Sequence, residues 1–131
     1  MISTKGRYAL RMLLDLAEQD PEKLIPLKDI AARQAISEQY LQHIAKVLVT
    51  NGFVSGTSGK GGGYKLTRKP EEYNVGEVLT LMEGTLATVA CTAPGADECP
   101  RNSFCKTLPM WKEFDSLVHD FFFGRTLADL M

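Results

Sequence analysis

Long apolar runs are missing from these 131 residues. No stretch approaches the roughly 18 apolar residues needed to cross a bilayer. Lys5, Arg7 and Arg11 are spread through a helical pattern instead of preceding an apolar core, which is not how a signal peptide is built. The expectation is a cytoplasmic protein with no membrane partner. Cysteine is scarce, three in all, and an odd number leaves a thiol over, so a disulfide framework is excluded as the source of stability. Histidine is scarcer still, with two residues, and neither lies beside a Ser or Cys nucleophile in a recognisable local motif. Acidic pairs such as Glu71-Glu72 fall in a probable loop, where solvation explains them. With no catalytic constellation in view, the chain reads as a binding protein and not an enzyme.

What is present fits one domain with room for a small appendage. Hydrophobic residues make up 44% and charged residues 24%, near the averages for a folded soluble domain, so disorder and a pure coiled coil are disfavoured. The net charge of −1 hides an asymmetry. Residues 1–70 hold 11 Lys/Arg against 6 Asp/Glu, whereas residues 71–131 hold 4 against 10. A basic N-terminal half points to a polyanionic partner.

Leu10, Leu13, Leu14 and Ala17 recur at helical spacing and predict a first helix from Ser3 or Thr4 to about Gln19. Asp20-Pro21-Glu22-Lys23 is a turn, and Pro26 precedes a short helix that stops near Ala35. Ser37 stands where an N-cap belongs, before a third helix patterned on Leu41, Ile44, Ala45 and Leu48 and stopped at Gly52. Two β-prone runs, 53–57 and 64–67, flank Ser58-Gly59-Lys60-Gly61-Gly62-Gly63 and predict a hairpin with a flexible basic tip. A fourth helix is expected over 75–82. Pro94, Gly95 and Pro100 then punctuate an irregular stretch to Cys105, and Trp111, Phe114, Val118 and Phe121 mark a last helix.

Opposite the apolar stripe of the third helix stand Gln39, Gln42, His43, Lys46 and Thr50, all hydrogen-bonding groups. Gln suits a bidentate contact to adenine and Lys reaches guanine or phosphate, so this face reads as a recognition helix, with an ordinary solvated face as the plain alternative. The glycine-rich tip is not a nucleotide-binding P-loop, because Gly61 follows Lys60 where that motif needs Ser or Thr. A wing that follows a DNA backbone needs a tight turn, free N–H groups and a cation, all of which Gly59-Lys60-Gly61 supply; a partnerless turn is the alternative. Cys91, Cys99 and Cys105 are spaced too widely for a usual zinc site and leave open an iron–sulfur cluster, redox thiols or inert cysteines. The last helix carries more apolar surface than one small core covers, which a symmetric dimer would bury.

The segments Ser3-Thr4-Lys5-Gly6-Arg7-Tyr8-Ala9, Ile36-Ser37-Glu38-Gln39-Tyr40-Leu41, Asn51-Gly52-Phe53-Val54 and Gly61-Gly62-Gly63-Tyr64-Lys65-Leu66 resemble the IscR-type winged-helix regulators of bacteria. Val75-Gly76-Glu77-Val78, the cysteines and Thr126-Leu127-Ala128-Asp129-Leu130 extend the resemblance over nearly the whole chain. It implies a mainly α fold with a small β-hairpin wing, a winged helix-turn-helix with a long C-terminal dimerisation helix. Residues 1–83 would form the DNA-binding domain, 84–105 the cysteine loop, and 106–131 the dimerisation helix and tail. It further implies a homodimeric transcription regulator, expected to be a repressor, on a palindromic double-stranded operator.

Lys5, Arg7, Ser37, Gln39, Tyr40, Gln42, His43, Lys46, Gly59, Lys60 and Gly61 would meet DNA. Cys91, Cys99 and Cys105 would hold an iron–sulfur cluster, either 2Fe–2S or 4Fe–4S. The cluster's fourth ligand differs between branches of the family. One branch has a histidine three residues after the third cysteine, where this chain has Leu108. Another has an aspartate near the start of the first helix, where this chain has Tyr8. Asp97, Glu98, Asn102 or a group from the other subunit remain open for that place. A third branch has no cluster and answers to a protein partner, so a cluster-free regulator is the alternative. A thiol redox or metal-binding protein is the alternative of a different class.

Overall fold

A computed structural model describes residues 2–131 of the chain. In order these are α1 (Thr4–Ala17), α2 (Leu27–Gln34), α3 (Glu38–Thr50), β1 (Val54–Thr57), β2 (Gly63–Leu66), α4 (Val75–Glu83) and α5 (Leu108–Phe123). Single 3-10 turns lie at Pro70–Glu72, Ala90–Thr92 and Ala128–Leu130. The mainly α winged helix-turn-helix expected from the sequence is the fold observed.

Ser3 caps α1, its Oγ accepting from the Lys5 N–H at 3.2 Å. The helix ends at Ala17, short of the expected Gln19. The Gln19 N–H bonds back to the Leu16 carbonyl at 3.1 Å, so the chain tightens into i→i−3 geometry before it leaves the helix. At the end of α2, Ala35 takes a left-handed conformation, φ 54° and ψ 44°. The Ile36 N–H then reaches the Ala31 carbonyl at 3.1 Å, a Schellman closure that turns the chain sharply into α3. Ser37 caps α3 as expected, accepting from the Tyr40 N–H at 3.2 Å. Gly52, at φ 76°, closes α3, with the Phe53 N–H on the Leu48 carbonyl at 2.9 Å.

Met12, Leu13 and Leu16 of α1, Ile30 of α2 and Leu41, Ile44 and Leu48 of α3 meet in one core with Val54 and Tyr73. Within it Asp15 is 2% exposed. Arg33 donates to its carboxylate through Nη2 at 2.7 Å and Nε at 3.0 Å, and the Gln34 amide adds a bond at 3.0 Å. The hydrogen bond to Asp15 also raises the Arg33 pKa above its ordinary value. This pairing fixes the helix-turn-helix unit to α1, since a buried carboxylate is tolerated only when its oxygens are satisfied.

β1 and β2 pair antiparallel, with Val54 opposite Leu66 and Gly56 opposite Tyr64. Ile25 adds a bridge to Tyr64 through two hydrogen bonds, 2.8 and 2.9 Å, which ties the tip-ward end of β2 to the segment leading into α2. The fully buried Tyr73 holds the other end. Its hydroxyl donates to the Phe53 carbonyl and accepts from the Thr67 N–H at 3.1 Å.

After α5 the chain turns back onto the winged domain. The Leu127 N–H bonds to the Tyr73 carbonyl at 2.9 Å and the Val75 N–H to the Arg125 carbonyl at 3.0 Å. The side chain of Leu127 is 1% exposed and belongs to the core. Residues read in sequence as a tail thus supply a wall of the N-terminal domain.

Candidate nucleic-acid interface and cysteine loop

Because α3 buries Leu41, Ile44, Ala45 and Leu48, the helical period turns Gln39, Gln42, His43 and Lys46 to solvent, and all four are exposed. Val49 and Thr50 continue this face toward the hairpin. An open cleft of about 540 Å³ separates them from the wing, lined by Gln42, His43, Lys46, Val49 and Thr50 on one wall and Gly56, Thr57, Ser58 and Tyr64 on the other. None of these nine residues is acidic. Gly59, Lys60 and Gly61 stand exposed at the wing tip beyond it.

The N-terminal end of α1 lies beside the same helix. Lys5, Tyr40, His43 and Lys46 line a second, smaller cleft with Leu81 and Met82 of α4. Lys5 is therefore brought to the exposed polar face of α3, whereas Arg7 is exposed on α1 outside both clefts. Tyr40 is half-buried: its ring stands edge-on to Tyr8 at 5.7 Å and its hydroxyl shares a 3.0 Å hydrogen bond with Thr4. It anchors α3 to α1. The Ser37 hydroxyl is occupied as a helix cap while its residue stays exposed. Thr57, Ser58 and Tyr64 were missed from the sequence. The alternation of β2, with Leu66 inward, carries the signal that Tyr64 shares its face.

Between α4 and α5 the chain has one single-turn 3-10 helix and no other regular element. All three cysteines lie here as free thiols, Cys91 exposed and Cys99 and Cys105 half-exposed. The near end of the segment is pinned to α5. Asp115 accepts from the Thr88 N–H at 2.9 Å and hydroxyl at 2.6 Å. Burial alone would push its carboxyl up, but these bonds and one from Thr92 outweigh it and hold the group below its ordinary range. At the far end, hydrogen bonds from the Thr107 hydroxyl and backbone, with Arg101 nearby, hold the Cys105 thiol below its ordinary range. Among the described residues no three Cys, His, Asp or Glu side chains converge to ligating distance. Leu108 is buried at the start of α5, and Tyr8 packs on Tyr40.

On α5 the face left uncovered is Met110, Phe114, Leu117 and Phe121, spaced four, three and four. Trp111 and Val118, placed on the surplus face by sequence pattern, are half-buried on the side toward their own chain. No helix among the described residues is long and apolar enough to cross a membrane.

Comparison with known proteins fits this arrangement. Residues 2–131 match the family Rrf2, described as an iron-dependent transcriptional regulator. The chain is 39% identical to protein rrf2 of Nitratidesulfovibrio vulgaris over 130 residues, 99% of this chain and 86% of that one. Among solved structures, T. potens IscR superposes with a TM-score of 0.78 at 32% identity, covering 99% of this chain and 85% of that one. CymR, the global cysteine regulator of B. subtilis, superposes with a TM-score of 0.79 at 32% identity, covering 99% and 95%. With an exposed polar face on α3 beside a basic wing, and these relatives along its whole length, the chain belongs to the Rrf2 family of DNA-binding transcription regulators, which are not enzymes.

Proposed function

We propose that this regulator is a homodimeric repressor of palindromic operators whose DNA affinity is set by an iron–sulfur cluster on Cys91, Cys99 and Cys105. The observation that carries the DNA half is the α3 face, where Gln39, Gln42, His43 and Lys46 stand exposed beside a cleft with no acidic side chain. The uncovered stripe on α5 supports the dimer, since apolar surface left wet costs about 25 cal/mol per Å². A two-fold dimer would present two recognition helices to the two halves of one site.

Three free thiols in one irregular segment suit iron as soft ligands, and the hydrogen bonds from Thr107 that lower the Cys105 pKa favour its thiolate form. When bound, such a cluster supplies a redox-active centre whose loss frees the loop. That loop joins the reading domain to α5 and is tied to α5 through Asp115, so its state would be felt at the helix that sets the spacing of the two heads.

The test is anaerobic purification of the wild type and each Cys→Ala variant, with iron and sulfide analysis, visible absorption and operator binding. Iron and sulfide together in the wild type, lost in every single variant, with altered operator affinity on cluster removal, is the expected result. Retention after removal of one cysteine overturns the assignment at that position.

A second reading, a cluster-free regulator responding to thiol state or to a protein partner, draws on Cys105, whose pKa the Thr107 hydrogen bonds lower, and on the structural similarity to CymR. It takes over if metal-free protein binds the operator unchanged.

A further inference from the structure

We infer that Tyr64 is a phosphate-binding residue of the DNA interface, its hydroxyl closing on the sugar–phosphate backbone that lies in the cleft between α3 and the wing. This rests on the DNA-binding reading above and adds a contact that charge and helix pattern do not show.

The argument begins with strand alternation. Val54 and Leu66 are opposite each other on the face of the hairpin turned to the core, and Val54 is buried there. Two residues toward the tip, the same face carries Gly56 opposite Tyr64. The Tyr64 ring packs against the rim of the core, and the pair forms the wing-side wall of the cleft. Gly56 makes this possible. A side chain there would begin 2.7 Å from Cε1 and 2.9 Å from Cδ1 of the Tyr64 ring, so the ring lies flat over the glycine and is held in place. The backbone of Tyr64 is fixed as well, by the paired bonds to Ile25. A seated aromatic ring loses little conformational freedom on binding.

Its hydroxyl is available. Tyr40 and Tyr73 direct theirs to Thr4 and Phe53, whereas the Tyr64 hydroxyl has no protein partner among the described residues. Around it the cleft offers Lys46 as a cation and Gln42, His43, Thr57 and Ser58 as further hydrogen-bonding groups. Another groove, between the α1–α2 turn and the end of β2, sets Lys23, Lys65, Arg68 and Lys69 against Asp20, Glu22 and Glu72. That groove mixes both signs, whereas the cleft between α3 and the wing holds Lys46 with no opposing carboxylate on its walls. A phosphate oxygen beside Lys46 and Tyr64 would receive one ionic and one neutral donor, the usual mixture in contacts that set register without reading bases.

The two donors leave different signatures. Removing a cation changes the number of counterions released, and removing a neutral donor does not. The experiment is fluorescence anisotropy with the full-length protein across a range of salt. The probes are a labelled duplex carrying the site the wild type selects from a randomised library, and an unrelated duplex. Tyr64→Phe keeps the ring on Gly56 and should leave the thermal transition unchanged. It should weaken binding to both duplexes by a similar factor, about tenfold for one hydrogen bond to a charged oxygen, with the salt slope unaltered. Lys46→Ala should lower the slope by about one.

Wild-type binding that Tyr64→Phe leaves intact overturns this inference alone. A loss confined to the selected duplex overturns it too, because it makes Tyr64 a base reader. Wild type that binds neither duplex overturns the DNA-binding reading, and the inference with it.

Discussion

The Glu83 carboxylate, at the end of α4, occupies the space a side chain on Gly6 would need. Its Oε1 lies 2.7 Å from where a Gly6 Cβ would stand and accepts the Gly6 N–H at 3.1 Å. The same oxygen accepts the Ser3 N–H at 2.9 Å and hydroxyl at 2.8 Å. An acidic group from a distant helix thus caps the N-terminus of α1, where free N–H groups and the helix dipole favour negative charge. Glu83→Ala should cost about 1 kcal/mol, as loss of a helix cap does, and less in a Gly6→Ala background where the carboxylate is already displaced. Urea denaturation of the double-mutant cycle measures the coupling.

Burial of Glu83 would raise its pKa, but the hydrogen bonds from Ser3 and Gly6 prevail and hold it below the usual 4.5. A carboxyl depressed in the folded state adds stability that is fully present above its unfolded value and is lost as pH falls through its folded one. Wild type should therefore lose more stability than Glu83→Gln between about pH 5 and about pH 3, a window that spans the ordinary carboxyl value. Parallel curves for the two proteins would remove this role from Glu83.

Ala35 is the one described residue other than glycine with positive φ. Its side chain is exposed, so nothing is lost by removing it except the steric cost of a left-handed Cβ. Ala35→Gly should stabilise the protein by about 0.5–1 kcal/mol, read as a higher urea midpoint at unchanged slope.

Leu127 packs in the core from beyond the last long helix. Leu127→Ala should cost about 2–4 kcal/mol, the range for emptying a buried leucine site. A thermal transition as high as that of the wild type would place residues 125–130 outside the folding unit.

The stripe Met110, Phe114, Leu117 and Phe121 should be the dimer seam, and Leu117, 62% exposed in the single chain, is its most accessible member. Leu117→Asp puts a charge into each copy of a two-fold interface and should give folded monomer in sedimentation. Monomeric wild type at micromolar concentration would contradict the dimer itself.

Readers and anchors on DNA should separate. Gln42→Ala should relax preference at one base position at a cost of about 1–3 kcal/mol, whereas Lys60→Ala should weaken all sequences and flatten the salt dependence. Binding to a randomised site library measures both, and uniform loss in the two variants would reverse the assignment of Gln42.

Helices, hairpin and the exposed polar face of α3 were legible because each depends on residues close in sequence. The apolar period of α3 fixes which side is buried, and Ser37 and Gly52 fix where it starts and stops. The winged fold followed from the order of these units. Which residues face each other across the chain was not legible. Glu83 reads as one more surface acid until α4 is laid beside α1, and residues 125–130 read as a tail until Leu127 is seen beneath Tyr73. The periodic stripe of α5 also gave no means to choose its outer face. The packing of α5 against α4 and the Ala90–Thr92 turn leaves Trp111 and Val118 half-buried and Phe114 and Leu117 bare. Local backbone preference and hydrophobic period are written into neighbouring residues, whereas caps, clefts and seams arise from contacts between residues tens of positions apart, which only the tertiary structure decided.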